Sequence, residues 1–87
     1  MAQIIAVVGS VSTASGLLKE MERMGCINCR IVHTPVCISN GGCSYSVKLD
    51  EACMKVLRTC VDKRKIKLRG IYKEILKEGE YVYDDIS

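Results

Sequence analysis

Cys37 and Cys43 bracket the segment Ile38-Ser39-Asn40-Gly41-Gly42. Two glycines just before a cysteine remove side chains from beside its thiol and allow backbone angles closed to other residues. A thiol presented this way, once ionised, is open to a second protein or a small donor and can attack a disulfide. A second thiol six residues back is placed to resolve the product.

A second pair, Cys26-Ile27-Asn28-Cys29, has the CxxC spacing of redox pairs and of half zinc sites. It follows a helix instead of preceding one, so no helix N-terminus favours its thiolates. His33 and one distant cysteine do not complete a four-ligand zinc site. Cys26 and Cys29 therefore read as a turn and the start of a strand. Cys53 and Cys60 recur at the spacing of a buried helical stripe and read as small core residues. His33, the single histidine, stands four residues before Cys37. It offers a base or charge partner for either loop thiol, with a structural histidine the plainer reading. The sequence carries no phosphate loop, paired catalytic carboxylates or metal motif, so no cofactor and no metal are expected.

Hydrophobic periodicity indicates the elements that hold these thiols. Gln3 to Val8 is a β-branched run ending at Gly9-Ser10, a strand and its turn. Ser10 or Ser12 caps a helix whose apolar stripe is Ala14, Leu17, Leu18, Met21 and Met24, and Gly25 closes it. Cys29 to Thr34 is a second strand stopped by Pro35, and Asn40-Gly41-Gly42 is a loop. In Ser44 to Leu49, Tyr45, Val47 and Leu49 face a core, while Ser44, Ser46 and Lys48 face away. Asp50 caps a second helix with the stripe Cys53, Val56, Leu57 and Cys60. Ile66, Leu68 and Tyr72 then share one face of a last strand.

The order β-α-β-β-α-β predicts an α+β, ferredoxin-like sandwich. Its sheet is four-stranded and antiparallel, in the order 4-1-3-2, with two helices on one face. Residues 1–73 make this single thiol-presenting domain. Residues 74–87 form a C-terminal tail, containing Glu80-Tyr81-Val82-Tyr83-Asp84-Asp85, that is able to add a short strand. The first strand is apolar on both parities, so its second face needs cover, from the tail or from a second copy in a homodimer.

In that topology the first strand ends where the first helix begins, and the second strand runs the same way. The loop from Cys37 to Cys43 thus returns to Ser10 and Ser12, where a helix N-terminus favours negative charge. Cys43 shares the parity of Tyr45 and Val47 and leans toward the helices, which makes it the main candidate. Ser10, Ser12, Ser39, Gly41 and Gly42 form its supporting set.

Composition narrows the setting. The longest apolar run, Ile4 to Val8, falls far short of the ~20 residues needed to cross a bilayer. No basic leader or cleavage site accompanies it, so no membrane association and no secretion are expected. The expected compartment is the reducing cytoplasm, where clustered cysteines point to redox, metal or group-transfer chemistry. A net charge of +3 is too mild to imply nucleic acid. The basic run Lys63-Arg64-Lys65-Ile66-Lys67-Leu68-Arg69 lacks interleaved aromatics for base stacking and suits a helix C-terminus and an edge strand.

Residues 4–72 resemble the selenium/sulfur carrier protein-like family of small bacterial domains. The resemblance rests on the strand and turn at Ser10, on Gly25, and on Thr34-Pro35. It continues through Ile38-Ser39, Gly42-Cys43 and the closing Gly70-Ile71-Tyr72. It implies that Cys43 is the carrier residue, taking a persulfide sulfur or selenium from a donor protein and passing it to an acceptor. Cys37 would release the cargo or guard Cys43 as a disulfide. The residues by themselves leave two other readings open. One is a small thiol–disulfide reductase using Cys37 and Cys43, and the other is a non-catalytic accessory or oligomerisation domain.

Overall fold

Strand β1 (Gln3–Val7) carries apolar side chains on both faces, and the rest of the chain is laid out around it. The computed structural model describes residues 2–39 and 44–87. After β1 come α1 (Val11–Arg23), β2 (Arg30–His33), a short α2 (Val36–Ser39) and β3 (Tyr45–Asp50). A 3-10 turn over Glu51–Cys53 leads into α3 (Met54–Arg64), and the hairpin β4 (Gly70–Lys77) and β5 (Glu80–Asp85) follows. The strands pair antiparallel in the order β2-β3-β1-β4-β5.

The expected four-stranded sheet with two helices is thereby corrected to five strands and three helices. The fifth strand comes from the tail. Glu78 and Gly79 adopt φ angles of 52° and 81°, a two-residue turn of the hand that matches strand twist, and it folds β5 back on β4. The additional helix, α2, follows Pro35, whose carbonyl accepts the N–H groups of Ile38 at 2.9 Å and Ser39 at 3.0 Å.

The last expected strand also moves. Ile66 and Leu68 alternate because both pack against the core, but pairing begins only at Gly70. Lys65 closes α3 with φ 55°, and Ile66 donates its N–H back to the Val61 carbonyl at 3.1 Å. Residues 66–69 therefore cross from helix to sheet without joining the ladder.

Register sorts the faces. Ile4 lies between Leu49 and Lys73, and Ala6 between Val47 and Ile71. Ile4, Ala6, Val8, Val47, Leu49 and Ile71 pack with Ala14, Leu17 and Met21 of α1 and with Leu57 and Cys60 of α3. Ile5 lies between Lys48 and Tyr72 on the opposite face, and with Val7 it is buried there too. That face is closed by polar pairing. Lys48 Nζ sits 3.0 Å from Glu74 Oε1, and the Tyr83 hydroxyl donates to Glu74 Oε2 at 2.7 Å. Ser46, expected toward solvent, is buried, its hydroxyl 2.7 Å from that of Thr34. Among the described residues no helix is long and apolar enough to cross a membrane.

One buried charge ties the helices together. Glu20 of α1 is only 3% exposed, with Lys63 Nζ of α3 3.0 Å from Oε1 and Arg23 Nη1 3.6 Å from Oε2. The hydrogen bond from Lys63 holds its carboxyl below the ordinary value of 4.5, against the opposing effect of burial. A lowered carboxylate pKa stabilises the fold above the unfolded value and loses that contribution as pH falls through the folded one. Thermal unfolding of Glu20→Gln is therefore expected at lower temperature than wild type at neutral pH. The gap should narrow below about pH 4.5, and a gap that stays constant through acid pH would contradict this role.

Candidate functional site

The start of α1 is built by three local interactions. Ser10, at φ −138° and ψ 159°, is the N-cap, and its hydroxyl accepts the Thr13 N–H at 3.2 Å. Ser12 is exposed in the first turn of the helix. A Cβ on Gly9 would lie 3.1 Å from Nη2 of Arg69, so the missing side chain admits a guanidinium beside the helix start. The Arg69 backbone is fixed there by its N–H, which donates to the Val7 carbonyl at 2.8 Å.

The same edge receives the described ends of the cysteine loop. Ser39 ends α2 and donates its hydroxyl to the Val36 carbonyl at 3.4 Å. On the far side, the Ser44 carbonyl accepts the Thr34 N–H at 3.1 Å, and the Tyr45 carbonyl accepts the Val8 N–H at 2.9 Å. The chain thus re-enters the sheet beside the end of β1 that feeds α1. Asn40, Gly41, Gly42 and Cys43 lie outside the described residues, so the expectations placed on Gly41, Gly42 and Cys43 do too.

Cys37 is exposed and lines a cleft of about 430 Å³ with Ile38, Tyr72, Tyr81, Val82 and Tyr83. Tyr72 is the register partner of Ile5, so this cleft belongs to the sheet face opposite α1 and α3. Cys37 faces these tyrosines, while Ser10 and Ser12 stand on α1. The aromatic wall has a sequence trace in the spacing of Tyr81 and Tyr83, which puts both on one side of β5. His33 packs its ring 4.9 Å from that of Tyr45, tilted by 35°.

Part of the basic run folds back over α1 and the turn before it while staying exposed. Lys63 pairs with Glu20, and the Arg64 guanidinium lies 3.2 Å from where a Cβ on Gly16 would sit. With Arg69 at Gly9, three of its five cations lie against α1 or the turn before it. Sequence reasoning missed Arg69 because alternation marks it only as an outward residue.

The remaining described thiols gather elsewhere. Gly25, at φ 98°, ends α1, with its N–H on the Glu22 carbonyl and the Cys26 N–H on that of Met21, both at 3.0 Å. This left-handed closure reverses the chain and buries Cys26. The Cys29 thiol lies 3.4 Å from the Cys26 carbonyl. The Cys26, Cys29 and Cys53 thiols lie close enough for each to influence the ionisation of its neighbour. Cys53 arrives through the 3-10 turn, a juxtaposition that no spacing in the sequence announces. Cys60 is buried beside Met24, sulfur to sulfur at 3.4 Å.

These surroundings quieten the thiols. Burial pushes Cys26, Cys29 and Cys60 above the ordinary thiol value. The hydrogen bond to Cys26, and then burial, push Cys53 up to about 11. Among the described residues no group of three or more His, Cys, Asp or Glu side chains could hold a metal ion. Alkylation of the native protein at neutral pH, mapped by mass spectrometry, is expected to label Cys37 promptly. Cys26, Cys29, Cys53 and Cys60 should lag by at least ~tenfold, since the thiolate is the nucleophile. Labelling of Cys53 as fast as Cys37 would contradict these environments.

A family model described as "Putative Se/S carrier protein-like" matches residues 3–73, from the start of β1 into β4. No curated protein and no solved structure matches the chain.

Proposed function

The chain belongs to the Se/S carrier-like family, and from that premise we propose that it carries sulfur or selenium as an adduct on Cys43. The cargo comes from a donor protein and goes to an acceptor protein. One observation carries the assignment to the loop. Of the five described cysteines only Cys37 is exposed, and the other four are buried or half-buried. A donor protein must reach the sulfur that it loads, so exchange falls to the segment from Cys37 to Cys43. Two features at its described ends support a thiolate there. These are the N-terminus of α1, capped by Ser10, and the Arg69 guanidinium packed on Gly9.

The chemistry is a thiol exchange. The Cys43 thiolate attacks the outer sulfur of a donor persulfide, forming a new S–S bond, and the donor departs as its own thiolate. An acceptor thiolate repeats the step on loaded Cys43, so no net oxidation occurs along the route. Selenium follows the same path as the outer atom of the donor's S–Se bond. Cys37 supplies a release step. Its thiolate attacks the inner Cys43 sulfur and expels hydrosulfide, leaving a Cys37–Cys43 disulfide that a small thiol reductant reopens. Exchange of this kind requires thiols kept free, the condition of the reducing cytoplasm.

Treatment with an inorganic polysulfide, followed by intact mass measurement, is expected to add the mass of sulfur to wild type and to Cys37→Ser. Cys43→Ser should gain much less, with any remainder confined to exposed Cys37, and an undiminished adduct in Cys43→Ser would overturn the assignment. Arg69→Gln removes an exposed cation worth about 0.5 kcal/mol. The variant should raise the Cys43 pKa and slow its alkylation at neutral pH roughly twofold.

A further inference from the structure

A modest net charge hides how the cations are arranged. Residues 55–69 expose seven Lys and Arg side chains and a single acid, Asp62. Four exposed carboxylates gather instead on the β4–β5 hairpin, at Glu78, Glu80, Asp84 and Asp85. The cations are laid along α1. Arg69 lies against Gly9, Arg64 against Gly16, and Lys63 reaches Glu20, which Arg23 flanks. The 13 residues of α1 span about 20 Å, so these side chains form a basic track from the turn at Gly9 to the far end of the helix. Glu20 is buried, and Arg64, Lys65, Lys67 and Arg69 make no ion pair among the described residues.

The track has the composition of a protein-binding surface. Val11 stands exposed at one end and Met24 at the other, and Met24 leans toward α3 with its sulfur 3.4 Å from that of Cys60. Exposed methionine and arginine together are enriched where proteins meet. Nucleic acid would call for aromatic side chains on which bases stack, and residues 55–69 contain none. The four tyrosines belong to β3, β4 and β5. The track also begins at Ser10, beside the point where the chain leaving the cysteine loop rejoins the sheet.

We infer that this track docks an acidic surface of the protein that exchanges cargo with the loop, a role that rests on the carrier reading. Carboxylates of the partner face Arg64, Lys65, Lys67 and Arg69, and its apolar side chains meet Val11 and Met24. Opposite charges steer the two proteins together and fix their orientation, so that the partner's thiol arrives at the loop. Exposed ion pairs are individually weak, so the complex forms quickly and parts readily, as a carrier that must leave each partner requires.

The probe is a fluorescent polyglutamate peptide long enough to span α1. Its binding is read by anisotropy on the full chain carrying Cys37→Ser and Cys43→Ser, so that loss of docking is distinguishable from failure of the carrier cysteine. Binding at low ionic strength should weaken as salt rises. Arg64→Gln, Lys65→Asn and Lys67→Gln together should weaken it at least ~tenfold. Arg30→Gln, Lys73→Gln and Lys77→Gln remove the same charge from the sheet and should change it less than ~twofold. Asn suits the φ of 55° at Lys65, and circular dichroism verifies that both variants are folded. On the chain with its loop cysteines intact, polyglutamate ending in a pyridyl disulfide should join Cys37 or Cys43 at least ~fivefold faster than the same disulfide on a glycine–serine peptide. The track variant should lose that advantage. Equal loss in the two triple variants would reduce binding to net charge and overturn the docking surface. Tighter binding of an RNA duplex of equal charge would overturn the partner class, as would salt-sensitive self-association through the acidic hairpin, which would make the occupant a second copy.

Discussion

The double-sided burial of β1 is the constraint from which the rest follows. Ile4, Ala6 and Val8 point to one face, Ile5 and Val7 to the other, and all five are buried. A fully buried Val or Ile contributes about 1.5–3 kcal/mol, so leaving either side open would cost a large part of a small domain's stability. The first face is covered by α1 and α3. The second is covered without another layer of helices, by Tyr72 beside Ile5 and by the Lys48, Glu74 and Tyr83 network spread across β3, β4 and β5. The tail joins the sheet because its Tyr83 completes that network.

Covering both faces also sorts the thiols. Cys60 fills the core under α3, while Cys26 and Cys29 occupy the passage from α1 to β2, where Cys53 meets them. Cys37 is pushed outward on α2, against the tyrosines of the second face. The edge where β1 feeds α1 collects a helix N-terminus, a guanidinium and the re-entry of β3. These are separate environments on a single sheet: Cys37 is open to solvent, and burial shelters Cys26, Cys29 and Cys60.

The elements with strong local signals were legible in the sequence. β1, α1 with its Ser10 cap and Gly25 terminus, and the core parity of Val47 and Leu49 all appear where periodicity and capping chemistry put them. The alternation of Ile66 and Leu68 misled, because burial against a core produces the same pattern as a strand without any ladder bonds. The fifth strand was half legible: the acidic and aromatic tail left fraying and a short added strand both open, and only the Glu78-Gly79 turn and the tyrosine spacing mark a hairpin. Contacts between residues far apart in the chain, such as Cys26 with Cys53 or Gly9 with Arg69, leave no periodic trace. The resemblance to the carrier family was legible through Gly25, Thr34-Pro35 and Gly42-Cys43, and the family match over residues 3–73 bears it out.

The central claim is that transferable sulfur resides on the loop and not on the sheltered thiols. It is tested most directly by loading the folded chain with isotopically labelled persulfide sulfur, removing the donor, and adding cyanide, which takes sulfane sulfur selectively. The account predicts a single labelled sulfur released per wild-type chain and almost none from Cys43→Ser. Release of several per chain, or the same yield from Cys43→Ser as from wild type, would contradict it.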